Sequence, residues 1–410
     1  MTGEFVESAA AAIAQGTPAF RRLTLAMLFA GFSTFSLLYA VQALLPTFAR
    51  VFAVSAEAAS FAVSLATGPL GLGILVAGGV SDRIGRRPVM TAAMFAAGVM
   101  TLAAAVAPTW PALLAARFAI GLALAGVPAT AMAYVSEEVD APSVGSAMGL
   151  YIAGSAVGGM AGRLGVSLLT EAVDWRWALG AVGAVGLAMA EGFRRLAPPS
   201  RRFSPNRART PIGAVFRDAA LPWLYLEAFV LMGGFVTVYN YAGFRLEAPP
   251  YRLGASAVGA IFLLYLLGSA SSAWFGGLAG RVGRRLVFPV PVVLMAAGVA
   301  LTAARPLPLV VAGIGVVTIG FFGAHSIASA WVGRRAPHAR GRAAALYLFF
   351  YYLGSSLLGS AGGVAWTGGG WPGVVWFCLA LSGAALVGAG ALWRTRPRAE
   401  AETPPSVAEA

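Results

Sequence analysis

Lysine is absent from this chain of 410 residues; all 29 of its basic residues are arginine. Cysteine is nearly absent too. Cys378 stands alone, so no intrachain disulfide can form, and it reads as a small packing residue. Charge is scarce, at 11% of residues, where soluble domains carry roughly 25%. No polar segment approaches the size of a soluble domain, which argues against an attached signalling module. There is no metal-ligand cluster, no nucleophile spaced for a base and no phosphate-binding loop. Enzyme chemistry and direct ATP drive are therefore not expected, nor is a metal or cofactor. Nor is a signal peptide expected at the start: Met1 to Phe20 is Ala-rich, but Glu4 and Glu7 interrupt it and no basic start precedes an apolar core, so it reads as a cytosolic tail.

What fills the chain instead is apolar, 59% of all residues. Runs of about 20 apolar residues, the length that crosses a bilayer, fall at 23–46, 59–80, 88–107, 111–134, 146–169 and 176–193, then at 221–244, 257–278, 286–303, 307–331, 343–366 and 373–393. The second set repeats the first. Gly78-Gly79-Val80-Ser81-Asp82-Arg83-Ile84-Gly85-Arg86-Arg87 returns 198 positions later as Gly276-Gly277-Leu278-Ala279-Gly280-Arg281-Val282-Gly283-Arg284-Arg285. Gly145 to Tyr151 is echoed by Gly341 to Tyr347, and Asp174-Trp175 by Gly370-Trp371. Parallel halves of this kind are a transporter plan, with the substrate path between them. The expected fold is an all-α membrane protein of twelve transmembrane helices in two pseudo-symmetric six-helix bundles around a central cavity.

Arginine placement sets the orientation. If the N-terminal tail is inside, most of the 29 arginines fall on the cytosolic side, seven of them in the linker from Arg194 to Arg217. The positive-inside rule then puts both termini and the linker in the cytosol. The resulting division is a cytosolic tail 1–20, a bundle 21–193, a basic linker 194–220, a second bundle 221–393 and a cytosolic tail 394–410. The net charge of +13 belongs to this belt, which suits anionic lipid head groups at about 1 kcal/mol per residue. No aromatic residues interleave with it, so nucleic acid is not an expected partner.

Together, the twelve spans, the two halves and the loop Gly78-x-x-x-Asp82-Arg83-x-Gly85-Arg86-Arg87 resemble the major facilitator superfamily, across about Arg21 to Trp393. Arg117-x-x-x-Gly121 resembles a motif of its proton-linked drug exporters. Gly154, Gly158, Gly159 and Gly162 resemble its antiporter motif, although the usual Gly-Pro pair is missing. Tyr39 to Pro46, with Ser136-Glu137-Glu138, is similar to bacterial inner-membrane exporters of the arabinose-efflux type. The resemblance implies that spans one, four, seven and ten line the cavity, and that Asp82 faces the start of span eleven, near Arg342.

In the loop, Gly78 and Gly85 permit close approach and a tight turn. Asp82 is placed to face a helix amino end. Arg83 or Arg86 can pair with Glu137 or Glu138, latching the halves when the cavity opens outward; Arg87 and its neighbours also set topology. Gly280 stands where Asp82 stands in the first copy, so the latch is one-sided. Charges within spans cost about 2.5–3.5 kcal/mol at mid-membrane and mark function. Arg117, Glu227 and His325 are the candidates, with Glu227 and His325 at matching depths where they can meet and carry a proton. Interfacial placement of Glu227, beside Trp223 and Tyr225, and a packing role for His325 are the competing readings. Arg163 is expected to snorkel outward or pair with Glu171 or Asp174. Gln42 and Asn240, 198 apart, form a pseudo-symmetric polar pair with Tyr39, Tyr239 and Tyr241 beside them. They suit an amphipathic organic substrate or, alternatively, hydrogen bonding at a gate. Phe349, Phe350, Tyr351 and Tyr352 are expected to face lipid or to pack.

The leading expectation is a monomeric, proton-coupled exporter of a small organic compound. An importer by symport or uniport is the alternative, and a non-transporting membrane sensor a remoter one. The missing lysine, beside abundant Ala, Gly and Arg, points to a GC-rich bacterial genome and so to a bacterial inner membrane.

Overall fold

The computed structural model describes residues 12–203 and 212–395. Expectations for the rest of the tails and for linker residues 204–211 lie outside the described residues. The described chain is helical, apart from one bridge between Ile13 and Val139. In order the helices are α1 (Pro18–Val51), α2 (Ala56–Ile84), α3 (Arg86–Ala105), α4 (Trp110–Glu138), α5 (Ala141–Ala172) and α6 (Trp175–Leu196). After the linker come α7 (Leu221–Glu247), α8 (Ala255–Val282), α9 (Arg284–Leu301) and α10 (Leu307–Arg335). The stretch Arg340–Arg394 is broken at Gly370 (φ 57°, ψ −146°) into α11 (340–369) and α12 (371–394).

Among the described residues, ten of these stretches, with Arg340–Arg394 taken as one, are long and apolar enough to cross a bilayer. α6 forms as expected, at 22 residues, but falls outside that set. Glycines at 180, 183 and 186 dilute its apolar content, and Arg176 and Glu191 bracket it.

Local chemistry sets the ends. The Thr17, Ser55, Thr109 and Asp174 side chains each accept a bond from an otherwise unpaired backbone N–H at the start of a helix. Pro18 follows Thr17 where a missing N–H costs nothing. The repeated basic loop turns at Gly85 (φ 104°) and Gly283 (φ 110°), a region that side chains with a Cβ rarely enter. α1 tightens to a 3-10 turn over Ala40–Leu44, because Pro46 cannot donate to the Gln42 carbonyl and its ring crowds it.

Close helix crossings build the core. α5 lies on α1 through Gly154, Gly158 and Gly162, where any Cβ would overlap the carbonyls of Leu28 and Phe32 or Ser36. In the second half Gly354 of α11 meets the carbonyl of Phe229 on α7 in the same way. Small residues let backbones touch where lipid gives no hydrophobic drive. The glycine motif of α5 is thus a packing ridge. Two further crossings join the halves: α2 with α11, and α5 with α8.

Those cross-contacts are confined to one end. Along α2, Glu57 meets Gly363, Ser60 and Ser64 meet Ser360, and Gly71 meets Tyr352. Continuing the same stripe, Leu75 is 42% exposed, and Gly78 and Gly79 have open space where a Cβ would stand. On the pseudo-symmetric side, Gly259 packs on Ser167 and the Ser256 N–H donates to Glu171 Oε2 at 2.7 Å, whereas Gly277 and Gly280 meet nothing. The halves are closed at the end bearing Glu57, Glu171 and Ser256, and splay towards the end bearing the repeated basic loops.

Gly158→Ala is expected to destabilise the solubilised protein by about 1–3 kcal/mol, as overpacking does. Gly149→Ala, with nothing near its Cβ position, is expected to leave the melting temperature unchanged. Thermal unfolding in detergent checks both.

Candidate functional site

The break in α1 places Gln42 at the crossing of three helices. Its Nε2 donates to Asn240 Oδ1 on α7 at 2.7 Å, and its Oε1 accepts from Arg163 Nε on α5 at 2.7 Å. Asn240 Nδ2 continues to the carbonyl of Gly359 on α11 at 3.4 Å. The two amides expected as a symmetric pair thus bond directly, in a buried chain that ties the first half to the second. Arg163 does not snorkel, and it pairs with neither Glu171 nor Asp174. It is 3% exposed, and its guanidinium lies over the rings of Tyr39, Tyr265 and Phe262 at 4.4, 5.0 and 5.3 Å. Glu171 is engaged by α8, and Asp174 caps α6. Tyr239 bonds Thr318 Oγ1 on α10 at 2.8 Å and stacks on Phe262, which extends the aromatic wall.

His325 and Glu227 do not meet. His325 Nδ1 lies 3.0 Å from the Tyr347 hydroxyl, with Phe321 and Tyr351 against its ring. Tyr351 therefore packs inward rather than facing lipid. Glu227 is fully buried rather than interfacial, and its side chain points to Gly388 on α12. Neither carboxyl oxygen has a hydrogen-bond partner among the described residues.

Arg117 is fully buried, and each of its three nitrogens donates to a main-chain carbonyl. Nε reaches Ala62 at 2.7 Å and Nη1 reaches Leu37 at 3.0 Å, while Nη2 takes Leu38. Leu37 and Leu38 sit just ahead of the 3-10 turn of α1. The guanidinium covers carbonyls at the point where the regular helical ladder breaks.

At the splayed end the basic loop folds onto its own half. Arg86 donates to Glu137 Oε1 (2.7 Å) and pairs with Asp82 Oδ1 (2.6 Å). Arg83 is exposed, and Arg87 donates to the Arg194 carbonyl. Glu138 accepts from the Arg202 backbone N–H rather than from a loop arginine, and its main chain bonds Ile13. Of the expected pairs the structure holds Arg86 with Glu137; Asp82 bonds within the loop and not at the start of α11. Gly78 is half-buried on α2 with open space at its Cβ position, and Gly85 makes the turn.

Sequence reasoning missed the aromatic box of Arg163. Tyr265 and Phe262 carry no signal that separates them from other span aromatics, because nothing in the sequence says which face of α8 meets α5.

The chain matches the family described as Major Facilitator Superfamily over residues 23–277 and 250–410. It is 43% identical over 387 residues to the inner membrane transport protein YnfM of Escherichia coli (strain K12), covering 92% of each chain. A shorter match, 32% over 163 residues, links 40% of this chain to 32% of the puromycin resistance protein pur8 of Streptomyces alboniger. Among solved structures, a bacterial homologue of the human lysosomal transporter Spinster, in an inward-facing and occupied conformation, superposes with a TM-score of 0.76 at 14% identity. It covers 93% of this chain and 98% of that one.

The three Arg117 bonds predict a structural cost. Arg117→Gln is expected to lower thermal stability in detergent by several kcal/mol, at about 1–3 kcal/mol for each carbonyl left unpaired. Arg117→Lys should recover only part of it, since one ammonium cannot span three carbonyls. An unchanged melting temperature in Arg117→Gln would remove this role.

Proposed function

The chain belongs to the Major Facilitator Superfamily and is a membrane transporter, and from that premise we propose proton-coupled export of a small organic compound. The proposed architecture is twelve spans in two bundles, 21–193 and 221–393, with both tails and the linker in the cytosol of a bacterium. The internal repeat supports it. So does the clustering at one end of Ile13 on Val139, Arg202 on Glu138, Asp218 on Arg335 and Thr395 on Arg285. By the arginine count, that end is the cytosolic one.

One observation carries the mechanism: the halves are sealed at one end by the chain Arg163–Gln42–Asn240 and splayed at the other. Alternating access requires a seal that opens as the opposite end closes. In the state described here the outer seal is made, and Asp82 is held by Arg86 inside its own half. In the opposite state Asp82 is free to turn to the start of α11, near Arg342, while Arg86 stays on Glu137. Gly280 gives the second copy no such group, so the latch works on one side.

Export is favoured over import by the partial likeness to a protein named for antibiotic resistance and by the Arg117-x-x-x-Gly121 motif. The proton falls to Glu227, a fully buried carboxyl without a hydrogen-bond partner among the described residues. A titrating side chain whose surroundings alternate is what coupling needs. His325 is already engaged by Tyr347.

The experiment is flux of a panel of labelled compounds into proteoliposomes, with and without an imposed pH gradient. Gradient-driven flux is expected for wild type. In Glu227→Gln, driven flux should disappear while gradient-free exchange of the same compound persists. Wild-type driven flux from that variant would move the coupling site elsewhere.

A further inference from the structure

Arg163 is a buried cation without a buried anion. No carboxylate of the described residues lies within ion-pair distance of it. Nε is taken by Gln42 and Nη1 by the Gly159 carbonyl at 2.7 Å, which leaves Nη2 without a hydrogen-bond partner among the described residues. A charge inside a span is costly unless it is matched, and two neutral acceptors with aromatic faces match it only in part.

Its surroundings repeat the deficit. Tyr265, whose ring lies against the guanidinium, has a buried hydroxyl with no hydrogen-bond partner among the described residues, and the hydroxyls of Tyr39 and of Ser355 on α11 have no partner there but each other. The planar cation, the Tyr265 hydroxyl and the one proton left over by the Tyr39–Ser355 pair thus stand together, with no acidic side chain among the described residues competing for them. Orphaned buried donors are retained at a cost where a ligand completes them. A carboxylate is the small group that accepts from a guanidinium and from hydroxyls together. The Tyr39, Phe262 and Tyr265 rings, continued by Tyr239, offer flat apolar walls beside it.

Building on the transporter reading, we propose that Arg163 is the anion anchor of the substrate site, and that the substrate class is an amphipathic organic carboxylate with a flat apolar body. Tyr265 and the Tyr39–Ser355 hydroxyl pair supply the remaining donors. A neutral compound of the same shape leaves the cation and the hydroxyls as they are and gains only the walls.

The test is equilibrium binding to the full chain in lipid nanodiscs, without any gradient, using 2-naphthoate and its neutral amide, 2-naphthamide. Wild type should bind the acid at least about tenfold more tightly than the amide, the range of one charge-assisted bond. Arg163→Gln should lose that preference. Tyr265→Phe, which keeps the ring, should weaken the acid several-fold and leave the amide unchanged. This second variant decides the matter if Arg163→Gln does not fold. Equal affinity for acid and amide in wild type overturns the proposal, as does a preference unaltered in folded Arg163→Gln or in Tyr265→Phe. The acid preference with no gradient-driven flux of any compound in proteoliposomes would instead sink the reading of proton-coupled export and leave the site standing.

Discussion

A polar group inside a bilayer must find its partner within the protein, and in this chain that constraint acts hardest where α1 breaks. Pro46 removes a donor, the helix tightens over Ala40–Leu44, and carbonyls ahead of the turn need new partners. Arg117 provides them from α4. The same break carries Gln42 to the point where α5 and α7 can both reach it. The stability of the first half and the link to the second therefore depend on one bend.

From that bend the rest of the arrangement follows. Glycine ridges bring α5 onto α1 and α11 onto α7, which puts Arg163 and Gly359 beside the two amides. The halves touch chiefly through α2 with α11 and α5 with α8, the crossings about which the proposed rocking turns. In the proposed mechanism the contacts that alternate are few: the amide chain at the proposed outer end and the loop carboxylate Asp82 at the proposed inner one.

Much of this was legible in the sequence. The repeat at 198 positions marked the helices in pairs and paired Gln42 with Asn240, which the structure joins by a hydrogen bond. Span lengths gave depth. They did not give facing, and the misplaced charges are failures of facing. Glu227 and Asn240 stand 13 positions apart on one helix; at about 100° per residue their side chains leave it on nearly opposite sides. One meets α1, the other meets α12. The same limit hid Arg163, whose depth suggested snorkelling while its face pointed inward. Arg117 was marked by its cost in the membrane, but its carbonyl partners come from a kink whose consequences only three-dimensional packing reveals.

The central claim is that the amide chain holds the outer end shut while the inner end is open. Distances between spin labels at Val173→Cys and Arg252→Cys, and separately at Ile84→Cys and Gly341→Cys, measure the two ends in a Cys378→Ala background. Substituting Asn240→Ala, which removes the link to α7, should lengthen the outer distance and shorten the inner one in the same population. Both distances unchanged, or both moving in the same direction, would contradict a two-ended rocker held by this chain.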